Sequence, residues 1–436
     1  MRRLLRRPGY STMPMEQILF PPTPAADSTV RPRVRDLDIS RIALPPPQRR
    51  DAGLSVLDIT KWFGETSGGV RTYLLQKANY VEARARLRQV LVIPGARDSV
   101  TGGSGVRCYR LRGPKIPTQR PYRFMLATRS IRRIVEHERP DVIEVGSPFL
   151  VPWITHRAAR RCDVPLIAFF HSNFPRSICA FPERAHGMRR HSHDLAWRYV
   201  RKLDQLFQTT IVASRFAASD LQCHGVERIT RVPLGVDLEH FHPRRRSHAE
   251  LTRQSLGLPL DVPVAAFVGR FAREKEVGLV IKAWETVEQR TDAVLALVGD
   301  GPMRKALRAQ AKASRIVWLP YQTDRADMAD LLASIDLLIS PGSIETFGLS
   351  ALEAQASGTP VLSADRGGVA EQIECSGAGA VFPAGDPHAL AECAIQLLTS
   401  GDLAALGARG RVYAEREHSW SSVFDRIFDV YRAVVA

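Results

Sequence analysis

The sequence predicts an α/β protein made of two doubly wound halves, each a parallel sheet with helices on both faces. Three observations predict it. Short, almost wholly apolar runs recur from residue 54 onward and alternate with segments of helical periodicity, as buried parallel strands joined by crossover helices do. A chain of 436 residues is long enough for two such domains with full cores. Three consecutive arginines at 244–246, followed by a polar run, mark a linker between two series of strands. The expected organisation is a basic, Pro-rich extension over 1–52, a first domain over 53–243, a second over 244–418 and a final helix over 419–436.

Composition narrows the class. Apolar residues make up 44% and charged residues 24%, ordinary values for a soluble globular protein. No apolar run reaches the length of a membrane span. Six scattered cysteines with no C-x-x-C pair argue for a reducing, cytoplasmic compartment and against a zinc ribbon. The net charge of +16 is uneven: residues 1–250 hold 43 Lys+Arg against 22 Asp+Glu, and residues 251–436 hold 18 against 23. The first half therefore suits an anionic surface, such as the inner face of the plasma membrane, as readily as it reflects an arginine-rich composition.

Taken in order, residues 1–52 carry RRLLRR and two proline clusters, lack the apolar core of a secretory signal and read as a dispensable, little-structured extension. The run LSVLDI is the first buried strand. It leads through KWFGETSGGV into a helix from Val70, and Gly68-Gly69 at that turn lets backbone approach a ligand closely. No G-x-G-x-x-G is present, so a dinucleotide fingerprint is not supported. Strands are expected at 90–93, 107–111, 142–145, 166–170 and 210–213, and helices at 124–137, 151–161 and 195–207. His171 follows one of these strands at its carboxyl end, where ligands bind in such sheets, although an isolated histidine is more often a structural hydrogen-bonder. The basic segment 184–202 contains His191-x-His193-Asp194, too few ligands for a metal centre. Ser214 reads as a helix N-cap.

The second half opens with a strand at 264–268, followed by Gly269-Arg270 and then Lys275. A strand ending at Val298 turns at Gly299-Asp300-Gly301-Pro302. The densest stretch follows. An apolar strand ending at Ile339 breaks at Pro341-Gly342-Ser343, a helix is expected from Phe347 to Gly358, and the next strand starts at Thr359. Within that helix Leu349, Leu352, Glu353 and Ala356 share the core-facing stripe, where a carboxylate is costly unless something binds it. Glu345 lies just before the helix, roughly 10–12 Å from Glu353 at 1.5 Å rise per residue. The N–H groups of Phe347, Gly348 and Leu349 open between the two acids as an anion cradle. Acid, phosphate cradle, acid is a layout that suits a nucleoside-diphospho-sugar.

Glu345-x7-Glu353, with Phe347-Gly348 and Gly358-Thr359-Pro360-Val361 around it, resembles the retaining GT-B glycosyltransferases of family 4, over nearly the whole chain from Leu54. The resemblance implies two Rossmann-like domains facing a central cleft, acceptor side first and donor side second, with the C-terminal helix crossing back onto the first. It implies that Glu345 faces the transferred sugar, Glu353 binds the ribose, and Arg270 and Lys275 hold the donor diphosphate beside Gly269. Gly68-Gly69 matches the family's GGV loop. His171-Ser172-Asn173-Phe174-Pro175 matches the setting of its sugar-facing histidine, with Asn173 as a further substrate contact. That setting also resembles mannosyltransferases acting on lipids, which makes GDP-mannose the favoured donor, a UDP-sugar the alternative, and a lipid or glycan hydroxyl the acceptor. The family is usually metal-independent, and no metal or cofactor is expected. Two rivals stand beside this reading: a sugar-nucleotide epimerase of the same fold, and a nucleic-acid binder suggested by charge alone, for which no module is present. A phosphorylase would need a pyridoxal phosphate lysine after Ser357-Gly358-Thr359, and none follows.

Overall fold

The computed structural model describes residues 53–64, 68–103, 105–117, 122–178 and 186–436 (side chains from 192 in the last segment), with residues 16, 19, 38–40 and 44–46. Each of the two series of strands forms its own sheet. The first comprises β1 (Leu54–Ile59), β2 (Leu87–Gly95), β3 (Ser99–Gly102), β4 (Val106–Arg112), β5 (Val142–Val145), β6 (Leu166–Phe169), β7 (Thr209–Val212) and β8 (Ile229–Arg231). Its order is β3-β4-β2-β1-β5-β6-β7-β8, and β3 is an antiparallel edge strand that periodicity did not reveal. The second comprises β9 (Val264–Val268), β10 (Val294–Val298), β11 (Ile316–Leu319), β12 (Leu337–Ser340), β13 (Val361–Ala364) and β14 (Gly379–Phe382), parallel throughout in the order β11-β10-β9-β12-β13-β14. The central residues of β1 and β9 are buried on both faces, which is why they read as unbroken apolar runs.

Strand order reverses at β1, which lies between β2 and β5, and at β9, which lies between β10 and β12. At such switch points the connecting helices leave on opposite faces, so a crevice opens at the carboxyl ends of the strands. Every site residue expected above follows β1, β6, β9 or β12.

The helix Trp420–Val435 crosses back as expected. It buries Trp420, Val423, Phe424, Ile427, Phe428 and Tyr431, and Phe424 and Phe428 meet Tyr80 of the first half's Gly69–Glu82 helix with ring centroids 5.4 Å apart. Beneath them lies a buried polar cluster. Lys77 Nζ donates to Asp58 Oδ1 at 2.6 Å and lies 3.3 Å from Glu144 Oε2. Glu144 Oε2 in turn accepts from Tyr73 OH at 3.0 Å and from Tyr431 OH. Two carboxylates around one ammonium leave an excess negative charge in the core. Burial first, then Asp58, pushes the Glu144 carboxyl up to about 7, against the pull of Lys77.

Several boundaries move, most of all the helix expected over 195–207, which spans His186–Asp204. The helix expected from residue 124 begins at Thr128, because the preceding residues run extended and Arg123 bridges to Lys115. The helix expected from Phe347 begins at Leu349, because Gly348 takes a left-handed φ of 89° as its N-cap. In the leading segment, Leu19 is buried and its carbonyl oxygen accepts from Thr101 Oγ1 and Arg110, while the buried Ile39 donates its N–H to Asp98. The described part of residues 1–52 thus departs from the little-structured extension expected there: the Pro45 and Pro46 carbonyl oxygens also meet His137 Nε2 at 2.7 Å and Arg107 Nη2 at 2.9 Å, while the other arginine- and proline-rich runs lie outside the described residues, as do the side chains of Arg184, Arg189, Arg190 and His191.

Candidate active site

A cleft of about 510 Å³ runs between the carboxyl ends of the two sheets. Eleven of the twelve expected site residues line it: Gly68 and Gly69 after β1, His171 after β6, Gly269, Arg270 and Lys275 after β9, and Glu345, Phe347, Gly348, Leu349 and Glu353 after β12. Asn173 does not. It is only 2% exposed, and its Nδ2 donates to Asp220 Oδ2 at 2.5 Å. Arg176 forks onto the same carboxylate from Nε and Nη2. The placement expected for Asn173 is therefore corrected: its amide ties the short Phe174–Ile178 helix, whose Arg176 N donates to Asn173 Oδ1, to Asp220 and does not line the cleft.

On the side of the second sheet, Lys275 Nζ contacts Glu345 Oε2 directly. Burial alone would lower the lysine's pKa, but the adjacent carboxylate outweighs it and holds the ammonium above its ordinary value. Arg270 has no carboxylate partner among the described residues. Its guanidinium lies 5.7 Å from the ring centroid of Tyr122, which reaches over from the first half. Of these two cations, Lys275 is thus neutralised by a carboxylate and Arg270 is not.

The helix Leu349–Ala356 points its N-terminus into the same space, where its first N–H groups lack intrahelical partners. Gly348 is required there twice over: its φ is left-handed, and a Cβ would come within 2.2 Å of Val369 Cγ2. Behind it, Gly368 N donates to the Glu345 carbonyl oxygen at 2.7 Å, so the loop after β13 props the Glu345 loop. Gly68 and Gly69 differ, since a Cβ at either would meet nothing within 4 Å. The open space above them, rather than packing, is what their small size preserves. Glu353, 8% exposed, is pushed up by burial and partly offset by Arg325, whose Nη2 lies 3.5 Å away.

From the first half, the His171 ring stacks on Phe169, with centroids 4.0 Å apart, and meets the edge of Tyr73. Burial, then the charge of Lys77, pulls its pKa down to about 3. The imidazole is consequently neutral at physiological pH: a hydrogen-bonding group, not a cation. Thr346, the residue after Glu345, ties the halves together. Its Oγ1 donates to the His171 carbonyl oxygen at 2.9 Å, and its own carbonyl oxygen accepts from Ser214 Oγ at 2.6 Å. Ser214 is also the expected N-cap, accepting from Ala217 N.

Sequence reasoning missed Thr346, Tyr122 and Arg325. Arg325 was legible in principle, since Asp324-Arg325 opens a helix just beyond β11 and Asp324 caps it. The others carry no local signal. The His193 Nε2 accepts from Trp197 Nε1, and among the described residues no three His, Cys, Asp or Glu side chains converge as metal ligands.

Two family models match the chain: Glycosyltransferase Family 4 over residues 67–240 and Glycosyl transferases group 1 over residues 249–411. The chain is 30% identical over 344 residues to a GDP-mannose-dependent alpha-mannosyltransferase of Mycobacterium tuberculosis (strain CDC 1551 / Oshkosh), covering 78% of this chain and 85% of that protein. It is 30% identical over 313 residues to a GDP-mannose-dependent alpha-(1-6)-phosphatidylinositol dimannoside mannosyltransferase of Mycobacterium tuberculosis (strain ATCC 25177 / H37Ra), covering 71% and 79%. Among solved structures, a sucrose-phosphate synthase from Thermosynechococcus elongatus superposes with a TM-score of 0.69 at 20% identity, over 87% of this chain and 98% of that one, a likeness of fold alone.

Proposed function

The chain belongs to the group 1 and family 4 glycosyltransferases, with the two-domain GT-B fold, and from that premise we propose that it transfers a mannosyl group from GDP-mannose to a lipid or glycan hydroxyl with retention of anomeric configuration. One observation carries the reading. Arg270, Lys275 and the N-terminus of the Leu349–Ala356 helix converge between Glu345 and Glu353, facing His171 across a single cleft. Breaking a sugar–phosphate bond builds negative charge on the departing diphosphate and positive charge at the sugar carbon. Fixed cations and helix N–H groups stabilise the first, and the Glu345 carboxylate stabilises the second. Arg270 presents a bidentate donor and Lys275 a point charge. Glu353, oriented by Arg325, holds the ribose hydroxyls. Neutral His171 donates or accepts a hydrogen bond at the sugar. The acceptor enters over Gly68-Gly69, along the domain formed by residues 53–243, and the donor binds the domain formed by residues 244–418. Departure is driven by these groups without a metal ion.

The choice of donor rests on the relatives at 30% identity, both GDP-mannose-dependent. The test is a thermal-shift panel of GDP-, UDP-, ADP- and TDP-sugars, followed by determination of the product anomer by NMR. GDP-mannose should stabilise the fold most, by mass action, and turnover should survive EDTA. Preferential stabilisation by a UDP-sugar would overturn the donor assignment, and an inverted product would overturn retention.

A membrane-bound acceptor calls for peripheral attachment at the cytoplasmic face. Among the described residues no single helix is long and apolar enough to cross a membrane. Leu150 and Leu195 are exposed at 53% and 49% on neighbouring helices that also carry Arg198 and Lys202, a pairing suited to an anionic lipid surface. Phosphatidylglycerol vesicles should float the protein at low salt and release it at high salt; failure to float points to a soluble acceptor.

A further inference from the structure

The residue after Lys275 has a conformation that its side chain disfavours. Glu276 has a φ of 51°, one of four left-handed non-glycine residues among those described and the one of the four that adjoins a cleft-lining residue. A Cβ strains the backbone in that region, and such strain persists only where the surroundings hold it. Glu276 ends the 3₁₀ turn Arg273–Lys275 and precedes the helix Val277–Arg290, yet its carboxylate does not cap that helix. It reaches sideways instead. Its Oε1 accepts from Ser343 Oγ at 2.7 Å, and the Ser343 main-chain N–H bonds the same carboxylate. Burial pushes the Glu276 carboxyl up, and these bonds act against it.

Ser343 stands two positions before Glu345, and Glu276 one position after Lys275. The loops after β9 and β12 therefore meet at successive points. A Cβ on Gly342 would come within 3.0 Å of the Glu274 carbonyl oxygen and 3.5 Å of Lys275 Cα, so the main chains touch there. The next residue, Ser343, holds Glu276, and beyond it Glu345 holds Lys275. Lys275 and Glu345 line the cleft, whereas Glu276 and Ser343 lie outside it. A diphosphate arriving at Lys275 competes with Glu345 for the ammonium, because one positive charge then faces two anions. As that pair loosens, the Glu276–Ser343 bonds and the main-chain contact at Gly342 remain to keep the loops in register.

We propose that Glu276 is a positioning residue for the transfer step: through Ser343 it ties the Lys275 loop to the Glu345 loop, so that Lys275 turns from Glu345 to the donor diphosphate while the two residues keep their spacing. The proposal rests on the transferase reading above and adds to it a residue that touches neither donor nor acceptor. It also accounts for a glutamate at a position that glycine would fill without strain. The side-chain bonds to Ser343 hold the left-handed backbone in place. Losing them shifts the lysine relative to the carboxylate, and a small misplacement of reacting groups acts on turnover more than on binding.

The experiment compares Glu276→Gly, Glu276→Gln, Ser343→Ala and the Glu276→Gly/Ser343→Ala double variant in the full chain, by GDP release from GDP-mannose with octyl mannoside as acceptor. Glu276→Gly should lower kcat roughly tenfold or more while KM for GDP-mannose changes by no more than about threefold. Glu276→Gln keeps an acceptor for Ser343 and should restore most of the wild-type kcat. Ser343→Ala leaves the Glu276 backbone alone and should lower kcat in the same direction, and the double variant should fall no further than Glu276→Gly. Unchanged kcat in Glu276→Gly, a glutamine variant as impaired as the glycine one, or losses that multiply in the double variant would each overturn the tie. A second readout needs no turnover. The Lys275–Glu345 coupling, taken from a Lys275→Met/Glu345→Gln double-mutant cycle by urea denaturation, should fall to less than about half in Glu276→Gly. Absence of turnover in wild type would strike the transferase reading instead, and this cycle would then decide the tie alone, an undiminished coupling overturning it.

Discussion

The Thr346 hydroxyl donates to the His171 main-chain oxygen at 2.9 Å, from the loop after β12 to the loop after β6. The residue next to Glu345 thus sets the distance between Glu345 and the histidine loop opposite. Thr346→Val keeps the shape and removes the bond. Stability should fall by only about 1 kcal/mol. Turnover should fall by roughly tenfold or more, because a small misplacement of groups across a cleft is expensive in the transition state. Thr346→Ser should restore it. Wild-type turnover in the Val variant with a loss in the Ser variant would show that the methyl group, not the hydroxyl, matters.

The diphosphate clamp makes a second prediction. Arg270→Ala and Lys275→Ala should each cost about 2–4 kcal/mol of transition-state stabilisation, seen mainly in kcat. Lys275→Ala also leaves Glu345 without its partner and should be the more damaging of the two. Near-wild-type turnover in both variants would end the clamp assignment.

The two acids separate by calorimetry with GDP. Glu353→Gln should weaken both GDP and GDP-mannose, which share the ribose, by roughly 1.5–3 kcal/mol. Glu345→Gln should leave GDP affinity unchanged or slightly improved, since it frees the Lys275 ammonium, while kcat falls. Equal affinity losses in the two variants would mean that the ligand lies the other way along the helix.

His171 carries a pH signature. Its pKa is about 3 in the fold, against about 6.5 in an unfolded chain. Between those values only the unfolded chain binds the proton. The stability held by the neutral imidazole is therefore full above pH 6.5 and is lost as pH falls toward 3. The stability difference between wild type and His171→Gln should shift against wild type by roughly 1–2 kcal/mol from pH 7.5 to pH 5, measured by urea denaturation at each pH. Glu144, raised to about 7, acts in the opposite sense but is common to both proteins. A difference that does not change with pH would show that the ring is protonated without penalty.

Much of this was legible in the sequence, for physical reasons that differ by element. β1 and β12 could be read because strands buried on both faces have few polar residues, and the site residues because each follows such a strand. Gly348 was legible as a cleft residue but not as a helix start, because its left-handed φ and the packing of Val369 from the Gly368–Ser376 helix are set by the tertiary fold. Asn173 misled because a motif records residue order, and the hydrogen bond that decides its role comes from Asp220, 47 positions away. Thr346 and Tyr122 act only through partners in the other half, information that no local window contains.

The crossing helix has a consequence for how the chain acquires its structure. Lys77 and Tyr431 meet in the same buried cluster although 354 positions separate them. Until the Tyr431 helix has been synthesised, the first half exposes the apolar face of its Gly69–Glu82 helix and keeps Lys77 and Glu144 without their last partner. The second half, made later, has, like the first, every strand of its sheet within one contiguous stretch of chain, but the aromatic face of the last helix packs on the first half. Maturation should therefore run against the order of synthesis, with the later half reaching its native state first and the earlier half waiting for a closure of high contact order. A nascent chain arrested before residue 420 would resist proteolysis in its later half and remain cleavable in its earlier one.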